Sequence, residues 1–271
     1  MFEKDDIITT DKYLTLSSEN IVYLKLDLVC RGLESMEWRG KRHMIRPGLI
    51  WMTGHSDYCI NEEVFKKYQD KNSVWYTVNK NYRHDKLLAL PLGITNDTSE
   101  TKLHPIYGNI DIMLDTMKQP RQIKNLVYMN FSIKTYPKER KYCYDLFVNK
   151  IWVTKGKIEN SIKGRKGFLE DIRNHKFVLC PRGNGIDTHR LWETLYMGSI
   201  PIVISTIALE EFTDLPILFI ESWDILNEDY LNNKYQEITS TTWNMKKLKF
   251  GYWKDKITNI RHSADIVGIV V

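Results

Sequence analysis

Short apolar runs, rich in β-branched and aromatic residues, alternate with longer amphipathic segments along the whole chain. Near-continuous apolar runs are typical of parallel strands that are buried on both faces, and the segments between them predict covering helices. We predict strands at residues 21–29, 49–53, 74–78, 88–92, 126–129, 151–153, 177–180, 200–205 and 217–220. We predict helices at residues 62–68, 138–149, 167–174, 188–197, 209–212, 223–237 and 243–259. This alternation predicts an α/β fold.

A polar stretch interrupts the pattern at residues 95–124, where Asn, Asp, Thr, Ser and Lys cluster ahead of Pro120. We place a domain boundary there, which gives an amino-terminal domain of residues 1–120 and a carboxyl-terminal domain of residues 121–271, with the last helix able to pack back on the first domain. The simplest architecture is two Rossmann-like, doubly wound domains that face a cleft. In such sheets ligands bind beyond the carboxyl ends of the strands, where the strand order reverses.

The composition argues against several classes of function. The net charge of +5 is scattered and locally offset, as between Lys138 and Lys141, whereas a protein that binds nucleic acid has a denser basic footprint. No run approaches the ~20 apolar residues that cross a bilayer, and the first residues are charged, so we expect neither membrane insertion nor a signal peptide. The four cysteines lie far apart without metal-ligand spacing, which favours reduced thiols and a cytoplasmic location.

The segment from Phe177 to Gly198 has the pattern of a buried strand, a glycine-rich loop and a helix. The loop permits unusual backbone angles, and a helix that follows it offers backbone N–H groups and the positive end of its dipole to an anion. Guanidinium groups in the loop and in the first helical turn match phosphate oxygens in geometry. The residues assigned to this anion site are Arg182, Gly183, Asn184, Gly185, Asp187, Thr188 and Arg190.

Two carboxylates refine this site. We expect Asp187 to cap the helix, which would displace a phosphate towards Arg182 and Arg190, and to orient an arginine or contact sugar hydroxyls. Glu193 lies six residues after Asp187, roughly 9 Å along a helix, which is about the reach from a pyrophosphate to the ribose of the same nucleotide. The residues alone leave an alternative open, in which Arg190 and Glu193 form a surface ion pair beside a tight turn.

The stretch 176–203, with Phe177-Val-Leu-Cys-Pro-Arg-Gly183, Asp187-Thr-His-Arg-Leu-Trp-Glu193 and Gly198-Ser-Ile-Pro-Ile-Val203, resembles the donor-site signature of exostosin-like glycosyltransferases. The chain looks like the short, soluble members of that family that large DNA viruses encode. The resemblance implies a GT-B fold and an inverting transfer from a UDP-sugar without an obligatory metal or other cofactor. It also implies that Arg182 and Arg190 face the diphosphate and that Glu193 holds the ribose. UDP-xylose is our first choice of donor and a glycan of a viral glycoprotein our first choice of acceptor, in the cytoplasm of the host cell.

Three further residues complete the predicted site. Arg140 follows the strand at 126–129 and could supply a second phosphate contact, although an exposed basic helix start would give the same pattern. Inverting transfer needs a base for the acceptor hydroxyl, and the loop after the strand at 49–53 offers Asp57 as the first choice and His55 as the second. In the alternative interpretation Asp57 only fixes the turn and His55 is a loop residue whose hydrogen bonds are satisfied within the protein.

The chain contains no Asp-x-Asp triplet, with which transferases of the other major fold commonly hold a divalent ion. Cationic side chains and a helix terminus would then neutralise the leaving group. A catalytically silent nucleotide-sugar or carbohydrate-binding module is the alternative function. It would retain the donor loop without turnover.

Overall fold

The computed structural model describes residues 2–33, 35–38, 41–97 and 101–259, with the backbone alone for residues 36, 38 and 41–43. Strands and helices alternate through these residues. The strands are β1 (Ile21–Lys25), β2 (Ser35–Trp38), β3 (Lys41–Met44), β4 (Leu49–Gly54), β5 (Asn72–Thr77), β6 (Leu87–Ala89), β7 (Asn125–Met129), β8 (Val153–Lys155), β9 (His175–Leu179), β10 (Ile200–Ile204) and β11 (Leu218–Ile220). The helices are α1 (Thr10–Leu14), α2 (Leu26–Cys30), α3 (Glu62–Tyr68), α4 (His104–Tyr107), α5 (Ile110–Lys118), α6 (Pro137–Phe147), α7 (Ile162–Arg173), α8 (His189–Tyr196), α9 (Glu228–Ser240) and α10 (Phe250–Thr258).

The strands form two parallel sheets and one small hairpin. The first sheet has the order β1-β4-β5-β6 and the second the order β11-β10-β9-β7-β8, while β2 and β3 pair antiparallel. In the second sheet the chain order reverses between β7 and β9, so its switch point lies at the carboxyl ends of these two strands. The predicted fold class, α/β with two parallel sheets, is confirmed.

The two faces of the second sheet belong to different apolar clusters, because successive side chains of a strand point to opposite faces. Tyr128 and Val178 join a cluster that continues into the first sheet. Val127 and Phe177, one residue earlier on the same strands, join a second cluster with α6 and α9. The second sheet is therefore covered on both faces, and its inner face shares a core with the first half of the chain.

Several predicted boundaries were wrong. The strand predicted at 21–29 ends at Lys25 and continues as α2, because an apolar run alone does not separate a strand from a buried helix. The helix predicted at 223–237 is a short 3-10 turn followed by α9, which begins after Asn227, whose side chain accepts a hydrogen bond from Tyr230 N–H. The polar stretch 95–124 contains α4 and α5.

The ends of the described chain meet on α8. Ile8 N–H donates to the Tyr196 hydroxyl (2.9 Å), which in turn donates to the carbonyl of Leu248 (2.8 Å). The ring of Phe250 at the start of α10 lies 5.7 Å from that of Tyr13.

The boundary near residue 120 stays a prediction; it falls between the last strand of the first sheet and the first strand of the second. No helix among the described residues is both long and apolar enough to cross a membrane.

Candidate functional site

A cleft of about 670 Å³ lies between the carboxyl ends of the two sheets. The first sheet contributes the loops after β4, β5 and β6, and the second contributes the loops after β7, β8 and β9, together with the starts of α7 and α8. The reversal of strand order between β7 and β9 opens onto this cleft, which is where ligands bind in open α/β sheets. All but one of the predicted site residues line it, and Arg182 is the exception.

The loop after β4 is built around His55. Its backbone has φ of 57°, a left-handed conformation that is uncommon for a residue with a side chain. Nε2 lies 2.6 Å from Asp11 Oδ1, and Nδ1 is hydrogen-bonded to the hydroxyl of Tyr23. With the ring proton on Nε2, His55 donates to Asp11 and accepts from Tyr23, so both ring nitrogens are engaged by the protein.

Asp57, two residues later, is different. Its side chain is exposed at the cleft and makes no hydrogen bond or ion pair with the residues that the structure describes. It faces the glycine-rich loop closely, since a Cβ added to Gly185 would lie 3.3 Å from Asp57 Oδ1. The carboxylate is therefore available to a ligand, whereas the imidazole of His55 is held in place.

The glycine-rich loop is tied to the first sheet through Asp187. Its N–H donates to Asn79 Oδ1 (2.8 Å), while its carboxylate accepts from Leu92 N–H (2.8 Å) and from Trp192 Nε1. Burial raises the pKa of Asp187 to about 7. The predicted capping role was wrong, because the N-cap is Thr188 and its side chain makes no capping hydrogen bond. Asp187 instead joins the two halves at the base of the cleft.

Arg182 lies outside the cleft, contrary to the sequence prediction of a phosphate ligand. Its guanidinium donates to the carbonyls of Gly183 (3.3 Å) and Asn184 (2.8 Å), and it stacks on the ring of Tyr136, 4.3 Å from the centroid. A guanidinium engaged with its own loop fixes the shape of that loop. Gly183, Asn184, Gly185 and Thr188 all line the cleft.

Arg140, at the start of α6, supports the same loop from the cleft side. Nε donates to the carbonyl of Arg182 (2.8 Å) and Nη1 to that of Ser132 (3.0 Å). Nη2 lies against Gly183, where an added Cβ would be 3.3 Å away, and no described residue accepts a hydrogen bond from it. Burial, helped by the nearby charge of Arg190, lowers the pKa of Arg140 to about 10. Two guanidinium groups are thus held near one another in the cleft wall.

Arg190 and Glu193 lie one turn apart on α8 but do not pair. Glu193 Oε1 instead accepts from Nη1 of Arg165 on α7 (2.6 Å), and both of these side chains are buried. Within the described ranges no carboxylate pairs with Arg190, and its Nε is buried without a hydrogen-bond partner. The alternative of a surface Arg190–Glu193 ion pair was therefore wrong, and the charge of Arg190 is left for a ligand.

Sequence reasoning missed three residues of the site. Arg165 lay in a predicted loop, although the N-cap Ser161, which accepts from Gly164 N–H (2.9 Å), marks the earlier helix start. Asn79 lines the cleft and Asp11 lies behind it against His55, and both are placed there only by tertiary contacts. Among the residues that the structure describes, no group of three or more His, Cys, Asp and Glu could hold a metal ion.

Comparisons with known proteins give little further identification. No protein-family model matches the chain, and no curated protein matches it in sequence. One similar solved structure, an α1,3-fucosyltransferase, aligns over 85% of this chain and 85% of its own, with 12% identity and a TM-score of 0.42. The likeness is distant at this identity and score.

Proposed function

We propose that this protein is an inverting glycosyltransferase that takes its sugar from a nucleoside-diphosphate donor. The observation that carries the proposal is the charge arrangement across the cleft. Arg140 and Arg190 line the cleft on the side of the second sheet without an ion pair to any described carboxylate, and Asp57 offers an unpaired carboxylate from the first. A cleft of about 670 Å³ has room for a nucleotide sugar together with part of an acceptor.

The cationic side is suited to the leaving group. Charge grows on the diphosphate as its bond to the anomeric carbon breaks, and preorganised donors in a shielded site stabilise that charge. Arg140 is fixed by two hydrogen bonds to backbone carbonyls, so it need not reorganise during the reaction. The glycine-rich loop lets the donor approach the backbone at Gly183 and Gly185, where a side chain would meet Arg140 or Asp57. No divalent ion is required in this scheme.

The anionic side is suited to a general base. The acceptor hydroxyl oxygen bonds to the anomeric carbon while the carbon–oxygen bond to the diphosphate breaks, and the hydroxyl proton passes to Asp57. We favour Asp57 over His55 because both ring nitrogens of His55 are engaged by Asp11 and Tyr23. His55 then shapes the loop that carries Asp57.

The finer assignments follow from the sequence resemblance. It favours a UDP-sugar, with UDP-xylose as the first donor to assay, a glycan of a viral glycoprotein as the acceptor, and the cytoplasm of a host cell as the location. Arg140, Arg190 and Glu193 remain the proposed donor ligands, while Arg182 becomes a residue that supports the loop.

A screen of nucleotides and nucleotide sugars tests the proposal. A ligand that binds only the folded protein raises its melting temperature by mass action, so nucleoside diphosphates and their sugars should stabilise the protein more than nucleoside monophosphates do. Donors that bind are then incubated with acceptor glycans, and release of the nucleoside diphosphate is measured. Equal shifts with monophosphates and diphosphates would remove the proposed diphosphate site, whereas binding without turnover of any donor would favour the silent binding module.

A further inference from the structure

Two neighbouring helices of the second half bring Arg165 and Glu193 together. Arg165 is on α7 and Glu193 on α8, and Nη1 donates to Oε1 over 2.6 Å. The side chain of Arg165 is fully buried, with its guanidinium carbon 5.9 Å from the ring centroid of Tyr107 and 5.6 Å from that of Phe168. The arginine therefore has little freedom to move, and neither has the carboxylate oxygen that it holds.

The pairing engages only one of the two carboxylate oxygens of Glu193. Oε1 is taken by Arg165, but Oε2 accepts no hydrogen bond from a described residue and is not among the fully buried atoms without a partner. Glu193 lines the cleft, one helical turn beyond Arg190. One oxygen is thus anchored in the protein, and the other is presented to whatever occupies the cleft.

The arrangement is a poor source of stability. Burial of an ion pair removes the hydration of both charges, and a well-packed apolar pair often gives an equally stable protein. In addition, Nε and Nη2 of Arg165 are buried without hydrogen-bond partners, which leaves two desolvated donors unsatisfied. What the arrangement does provide is a carboxylate with a fixed orientation.

We propose that Arg165 is a positioning residue that holds Glu193 so that Oε2 accepts a hydrogen bond from a ribose hydroxyl of the donor nucleotide. This inference rests on the proposed function, because it requires a nucleotide in the cleft. Arg190 and Glu193 lie one turn apart on α8 and line the same cleft, so a nucleotide whose diphosphate meets the guanidinium of Arg190 has its ribose on the side of Glu193. Arg165 acts through Glu193 and touches no reacting atom.

The proposal predicts a preference for ribonucleotides. A hydrogen bond from a ribose hydroxyl to a charged acceptor corresponds to about tenfold to a hundredfold in affinity. The wild-type protein should therefore bind UDP or GDP at least about tenfold more tightly than the matching 2′-deoxy or 3′-deoxy nucleotide. Loss of Arg165 should bring the ribonucleotide and the deoxynucleotide to similar affinities, whereas a purely structural defect would weaken both by the same factor.

The experiment is calorimetric titration of UDP, GDP and their 2′-deoxy and 3′-deoxy forms into the full chain. The variants are Arg165→Met, Glu193→Gln and the double variant Arg165→Met/Glu193→Gln. The double variant removes both buried charges and so avoids an unpaired carboxylate, which makes it the variant expected to fold best. The control is Arg173→Met at the far end of the same helix, which loses a hydrogen bond to the carbonyl of Gln119 and leaves the Arg165–Glu193 pair intact.

We expect a ribose preference in the wild type and in the Arg173→Met protein, and none in the three site variants. A preference that survives in folded Arg165→Met protein would overturn the positioning role, and so would equal wild-type affinity for all forms of one nucleotide. In both of those results nucleotides still bind, so the proposed function would stand. A wild-type protein that binds none of these nucleotides would overturn the proposed function and this inference together.

Discussion

Replacement of Arg190 by methionine should make the ligand-free protein more stable and its nucleotide complex weaker. Arg190 has a buried Nε without a hydrogen-bond partner, and its charge helps to lower the pKa of Arg140. Methionine keeps most of the packing of the side chain but removes both unfavourable features. An unsatisfied buried donor costs about 1–3 kcal/mol, so a gain of roughly 1 kcal/mol in the free energy of unfolding remains after some loss of packing. For a chain of this size that corresponds to a rise of about 2–4 °C in melting temperature.

The same substitution removes charged donors from the proposed diphosphate site. Hydrogen bonds to charged groups contribute about 1.5–3 kcal/mol, so the affinity for a nucleoside diphosphate should fall by about tenfold to a hundredfold. Thermal unfolding with and without nucleotide, followed by calorimetric titration, measures both effects on one sample. Arg46→Met is the matched control, because Arg46 is exposed and lies outside the cleft lining. A less stable Arg190→Met protein that binds nucleotide as tightly as the wild type would refute this reasoning.

Three further predictions concern the acidic residues and the glycine-rich loop. Asp57→Asn should lower transfer by about two to four orders of magnitude and leave donor affinity unchanged; unaltered turnover would exclude Asp57 as the base. Arg182→Ala should lower the free energy of unfolding by about 1 kcal/mol, because the guanidinium of Arg182 is hydrogen-bonded to its own loop. The donor KM should stay near the wild-type value, and a large rise in KM would place Arg182 back among the donor ligands. Asp187 holds its proton up to about pH 7 in the native state but only to about pH 4 when unfolded, so the native state binds more protons between these values. The free energy of unfolding should therefore fall as pH rises through this window, by up to about 1.4 kcal/mol per pH unit, and denaturant titrations of Asp187→Asn across the same range should be flat in comparison.

The fold class was more predictable from the sequence than the boundaries of the individual strands and helices. Near-continuous apolar runs such as those of β4, β9 and β10 identify parallel strands because such strands are buried on both faces. The same property misleads at residues 26–29, where Leu26, Leu28 and Val29 are buried in a helix. Polar composition misleads at residues 95–124, where α5 buries only one side and so carries many polar residues.

The site was predictable where neighbours in sequence are neighbours in space. Gly183, Gly185, Arg190 and Glu193 all reach the cleft because one loop and one helix carry them. The partners of these residues could not be predicted, since the ion pair of Glu193 with Arg165 spans 28 positions and the Asn79–Asp187 contact spans 108. The direction in which a side chain points could not be predicted either. Arg182 lies in the loop as predicted, yet its guanidinium turns back onto the loop carbonyls.

The most direct test of the central claim is the stereochemistry of the product. Wild-type protein is incubated with the donor that stabilises it most and with an acceptor glycan, and the anomeric configuration of the new linkage is determined by NMR. We predict that transfer inverts the configuration of the donor, and that Asp57→Asn protein binds the same donor without forming the linkage. Retention of configuration, or full transfer by Asp57→Asn, would contradict a single displacement assisted by that carboxylate in this cleft.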